Sequence, residues 1–104
     1  MKYYTDTIPV TLAEKLKEKG MPIRIDYDTE RTDASFGTCF DWMMSEKDIH
    51  IRLVPFGCTK KKVTTWDWSW YIDQLGKPYI ETDYYYCTWH EAAEAAIEKA
   101  LTLI

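Results

Sequence analysis

Between Val63 and Asp73 the chain reads Val-Thr-Thr-Trp-Asp-Trp-Ser-Trp-Tyr-Ile-Asp, with Trp66, Trp68, Trp70 and Ile72 alternating with Thr65, Asp67, Ser69 and Tyr71. Successive side chains of a strand point to opposite faces, so this spacing predicts a strand with one heavily aromatic face. The expectation is that Trp66, Trp68 and Trp70 lie inward against amphipathic helices. Upstream, Ile49, Ile51 and Leu53 alternate with His50, Arg52 and Val54, which predicts a second strand. Pro55 and Gly57 are expected to end it, and Cys58 to Lys62 to form a turn. Two strands joined by a short polar turn pair most naturally as an antiparallel hairpin.

The remaining segments alternate between the two periodicities. Thr11-Leu12-Ala13-Glu14 has the spacing of a capping box, and Leu12, Ala13 and Leu16 follow at helical spacing. Gly20 and Pro22 close that helix, which is expected over Leu12–Lys19. Ile23 to Asp28 alternates and predicts a strand, and Thr29 to Asp33 reads as a polar loop. Asp33 is the expected N-cap of a helix from Ala34 to about Glu46, with Phe36, Phe40, Met43 and Met44 on one face. Gly76-Lys77-Pro78 predicts a turn and Tyr79 to Tyr86 a further strand. Thr88-Trp89-His90-Glu91 repeats the capping-box pattern, with Cys87 placed to staple onto Ala92. The helix it opens runs to about Thr102, with Trp89, Ala92 or Ala93, Ala96, Ile97, Ala100, Leu101 and Ile104 as its apolar stripe. The order predicts an α+β, two-layer sandwich: an antiparallel sheet of three to four strands, with helices packed on one face, in a single domain over residues 1–104.

Composition narrows the functional classes. With 104 residues, 46% apolar and 29% charged, the chain suits one folded domain and not a disordered tail. Its longest apolar runs are far shorter than the roughly 20 residues that span a bilayer, and the first six residues lack the apolar core of a secretion signal. Three irregularly spaced cysteines do not form a disulfide framework, so a reducing, cytoplasmic location is expected, with no membrane partner. The net charge of −4 opposes binding to a phosphate backbone.

Three stretches carry a family resemblance: Thr38-Cys39-Phe40-Asp41-Trp42-Met43-Met44, the strand from Ile49 to Phe56, and the run from Tyr85 through Trp89-His90-Glu91-Ala92-Ala93 to Leu101. Over roughly residues 8–104 the chain resembles small proteins of gut bacteria that carry a domain of unknown function, often in prophage-like or mobile-element surroundings. The resemblance implies a cytoplasmic accessory protein. It implies no activity, cofactor or catalytic residue.

Few residues suggest chemistry. Cys87 and His90 have a C-x-x-H spacing, but zinc needs two more ligands, which Cys39, Cys58 and His50 would supply only by converging in the fold; no metal or cofactor is expected. The same pair, with Glu91 or Asp83, has the makings of a thiol–imidazole dyad at a helix start, so a small thiol-dependent enzyme is one alternative. The carboxylates Asp26 with Asp28, Asp67 with Asp73, and Asp83 would serve glycoside or phosphoryl chemistry only with two of them facing one cleft; Asp26 and Asp28 share a strand face, which is also how a solvated face looks. Gly20, Gly37, Gly57 and Gly76 stand alone, so there is no phosphate-binding loop.

The aromatic residues point to contact. Tyr71 and the tyrosines at 84 to 86 could stack bases, with Lys60, Lys61, Lys62 and Arg52 as the only basic group, which makes single-stranded nucleic-acid binding a second alternative. The favoured reading is a non-catalytic interaction protein. If the tryptophans pack under the helices, Tyr71, Tyr79 and Tyr85 lie on or near an open sheet face that suits a protein partner or a second copy, with Lys60, Lys61 and Lys62 beside it.

Overall fold

The structure, a computed structural model, describes residues 5–82 and 84–104, and among them every side chain but that of Cys58. Asp83, weighed above as a partner of Cys87, and the Cys58 thiol, weighed as a metal ligand, lie outside this description.

Helix α1 (Val10–Glu18) begins two residues before the expected start. Pro9, with φ −63°, is its N-cap and offers no side-chain cap, so Thr11 lies inside the first turn and the capping box is not used. The chain is fixed upstream instead, where the Ile8 N–H donates to the Ala34 carbonyl at 3.0 Å. At the other end Gly20 takes φ +101°, its N–H donates to the Lys17 carbonyl, and the Met21 N–H donates to that of Leu16. This is a Schellman close.

The first strand is shorter than its alternation suggests. Among the described residues β1 (Ile25–Asp26) pairs only with β2 (Arg31–Thr32), which lies within the stretch read as a loop. The Asp26 carboxylate accepts from the N–H groups of Asp28 and Thr29 and so turns the chain back on itself. Asp33 is not a helix cap; its Oδ1 accepts from the Arg24 N–H at 2.8 Å and closes the base of this ribbon. Ser35 caps α2 (Phe36–Lys47), accepting from the Thr38 N–H. The inward face of α2 runs through Phe36, Cys39, Phe40 and Met43, and Met44 points to solvent.

β3 (His50–Lys60), β4 (Val63–Asp73) and β5 (Ile80–Glu81) form an antiparallel meander in that order. The strand expected over Tyr79–Tyr86 is reduced to β5 and a bridge from Tyr86 to Trp68. β3 does not stop at Pro55. Trp68, opposite Pro55, spends both its N–H and its carbonyl on Tyr86 at 2.8 and 2.7 Å. The Pro55–Trp68 pair therefore exchanges no hydrogen bond, and the missing proline N–H faces the open edge. The strand runs on to a two-residue turn at Lys61 and Lys62.

Helix α3 (Trp89–Leu101) is capped by the Thr88 hydroxyl, which accepts from the Glu91 N–H at 3.1 Å. Trp89, Ala93, Ala96, Ile97 and Ala100 are buried in one core with α1, α2, Ile51, Trp70 and Ile72. Cys87 is exposed and does not form the expected staple, and Ile104 is also exposed. Among the described residues the fold is α+β: three helices, with α2 and α3 packed against one face of an antiparallel sheet.

The inward indole face is correct for only half its length. Ile72 and Trp70 are buried, Trp68 is half-buried, and Trp66 is 59% exposed. A 13-residue helix is about 20 Å long, whereas an 11-residue strand reaches about 36 Å, so the helices run out before the hairpin does. The distal part of β3 and β4 projects as a two-stranded arm. The radius of gyration, 14.7 Å, exceeds the roughly 13 Å of a compact chain of this length accordingly.

Candidate interaction surface

Residues paired across antiparallel strands share a face, so the register divides the hairpin into two surfaces. Ile51, Leu53, Pro55 and Gly57 lie with Ile72, Trp70, Trp68 and Trp66 on the helix side. Arg52, Val54 and Phe56 lie with Tyr71, Ser69 and Asp67 on the other.

Among the described residues no helix lies over that second face, which is paved with rings. The Tyr79 ring stands 6.0 Å from that of Tyr71, and the Arg52 guanidinium lies 5.1 Å from the Tyr71 ring centroid. Arg52 Nε donates to Asp73 Oδ2 at 2.7 Å, so the cation is held in place over the ring. Further along, Tyr85 and Phe56 meet at 5.2 Å. Tyr71 is half-buried, while Phe56, Tyr79 and Tyr85 are 52%, 59% and 59% exposed. Tyr71, Tyr79 and Tyr85 thus lie on the open face, in two groups about the middle of the sheet. Lys60, Lys61 and Lys62 are exposed at the arm's tip, beyond the Phe56–Tyr85 pair.

Sequence reasoning missed Phe56 and Trp66 as surface residues. The alternation of β3 continues through Phe56, but Pro55 hides it; for Trp66 nothing local marks where the helices end.

His90 Nε2 lies 2.6 Å from Asp6 Oδ2, tying the first described residues to the start of α3, and the ring packs edge-on against Phe36 and Trp89. Cys87 is an exposed free thiol and Cys39 a buried one, whose burial pushes its pKa up to about 12. Of the carboxylates, Asp26 is occupied by its own turn, whose Thr29 N–H holds it below its ordinary value, and Asp73 by Arg52. Among the described residues no three His, Cys, Asp or Glu side chains converge as a metal site, and no helix is long and apolar enough to cross a membrane. A groove of about 370 Å³ runs between α1 and α3, lined by Leu12, Tyr86, Glu91, Glu94, Ala95 and Glu98 among others. A second, of about 390 Å³, lies between β5 and Lys99.

These features define an α+β domain with an aromatic open sheet face and a projecting, lysine-tipped β-arm. Comparison of the chain with protein-family models, curated proteins and solved structures finds no match to any of them.

Proposed function

We propose that this chain is a non-catalytic interaction protein that seats a protein surface on its open sheet face. The observation that carries the reading is the uncovered row of rings, Tyr79 against Tyr71 and Phe56 against Tyr85. Exposed aromatic side chains grouped on a rigid sheet cost little torsional entropy on binding and bury large areas, as interface hot spots do. Arg52, fixed between Tyr71 and Asp73, adds an oriented cation at the centre. A cytoplasmic setting belongs to the same reading, supported by the free thiols of Cys39 and Cys87.

A photo-crosslinking side chain placed at Tyr79 or Tyr85 tests it in the cells that make the protein. Discrete protein adducts at both positions, without adducts at the equally exposed Tyr27 on the β1–β2 ribbon, are expected. No adducts at Tyr79 and Tyr85, or adducts to nucleic acid alone, would overturn the reading.

A further inference from the structure

The helix side of the arm is a separate surface from the open face. It continues the core stripe outward: Trp70 buried, Trp68 half-buried, Trp66 exposed, with Pro55 and Gly57 opposite the last two. Its two ends carry opposite charge. At the tip are Lys60, Lys61 and Lys62, and between residues 53 and 68 the only carboxylate is Asp67. At the root is the groove between α1 and α3. Tyr86, which lines that groove beside the residues of α1 and α3, is hydrogen-bonded to Trp68 at the start of the exposed stripe.

The α3 side of the groove carries Glu91, Glu94 and Glu98, spaced i, i+3 and i+7 on one side of the helix, where like charges repel. Glu98 is neutralised by Lys15 at 2.8 Å, and Glu91 sits in the first turn, where the helix dipole favours it. Glu94 is pushed above its ordinary pKa by burial and by both neighbouring carboxylates, against the pull of His90. The groove is therefore short of positive charge, and the arm ends in more of it than its own surroundings neutralise.

We propose that the arm's helix-side face docks against the same face of a second copy, antiparallel, so that each lysine tip enters the Glu91–Glu94 end of the other copy's groove. The distance from the Pro55–Trp68 pair to the turn is about six residues, or roughly 20 Å of strand, so two arms laid antiparallel place each tip at the other's root. The pairing is isologous: every tip-to-groove contact occurs twice, and the indoles of Trp66 and Trp68 are covered between the arms. The inference rests on the interaction-protein reading but uses the opposite face of the sheet.

Charge exchange tests it. The wild-type chain is expected to sediment as a dimer at about 100 µM and to shift toward monomer as salt is raised. Lys60→Glu/Lys61→Glu/Lys62→Glu and Glu91→Lys/Glu94→Lys are each expected to be monomeric alone, because each carries tip and groove of one sign. Mixed one to one, they are complementary at both contacts, and a heterodimer at least tenfold tighter than either homodimer is expected. Circular dichroism checks that α3 survives the reversal, and Glu91→Gln/Glu94→Gln, expected to weaken the dimer without reversing charge, provides a milder variant. A wild-type chain that stays monomeric, a dimer indifferent to these changes, a mixture that does not associate, or association only through co-purified nucleic acid would each overturn the proposal. Crosslinking at Tyr79 and Tyr85 is scored independently, so the interaction reading can stand where the second copy falls.

Discussion

Trp66 lies over Gly57 across the hairpin, so that a Cβ on residue 57 would stand 3.0 Å from Cζ3 and 3.1 Å from Cη2 of the indole. The ring covers bare backbone where neither strand has a helix beneath it, and it leaves its other side to solvent. One Gly57 Hα should therefore resonate well upfield of its random-coil position and return toward it in Trp66→Leu. Gly57→Ala should displace the exposed indole, raising its iodide quenching, while changing stability by no more than about 0.5 kcal/mol, since a surface ring can move. An unshifted Gly57 Hα in the wild type would show that the ring does not rest there.

The turn at the arm's tip is strained in a way that can be relieved. Lys61 and Lys62 have φ +49° and +65°, the left-handed pair of a two-residue hairpin, although Asn-Gly is the sequence that suits it. Each side chain there opposes its backbone. Lys61→Asn/Lys62→Gly should stabilise the chain by about 1 kcal/mol, read as a higher thermal midpoint. It should also weaken self-association by removing two tip charges. A midpoint that does not rise would mean the turn is not left-handed.

What could be read locally was legible. The alternation of Val63–Asp73, the Thr88 cap and the alanine stripe of α3 each depend on neighbours a few residues away, and strand parity alone was enough to put Tyr71 on the face away from the helices. The failures share another cause. Pro55 is tolerated because Trp68 bonds Tyr86, a contact from the far side of the sheet; Met44 is left at the surface because the core-facing side of α2 runs through Phe36, Cys39, Phe40 and Met43. Trp66 is exposed because α3 is shorter than the strand it covers. Each is decided by tertiary geometry, and two of them decide what the arm displays.

The two capping-box sequences make a paired comparison. Thr88 accepts the Glu91 N–H, whereas Thr11 stands within α1 behind a proline cap. Thr88→Ala should cost about 1 kcal/mol in chemical denaturation, and Thr11→Ala, one residue inside α1 and not its N-cap, should cost no more than about 0.5 kcal/mol. Equal losses at the two positions would remove the distinction between the sites.

Cys39 links the core to pH. Its folded pKa lies near 12 against an ordinary 9.0, because burial disfavours the thiolate. The unfolded chain loses this proton first, so above about pH 9 the unfolded state binds fewer protons than the folded one and stability falls as pH rises. Below pH 9 both states hold the proton and the thiol contributes no slope. Cys39→Ala should flatten the decline between pH 9 and 11, although it also leaves a small cavity and lowers stability at all pH values. In a Cys58→Ser background, Cys87 should react with iodoacetamide within minutes at pH 8, and Cys39 only as the chain unfolds. Comparable alkylation rates for the two thiols would contradict the burial of Cys39 on which the pH dependence rests.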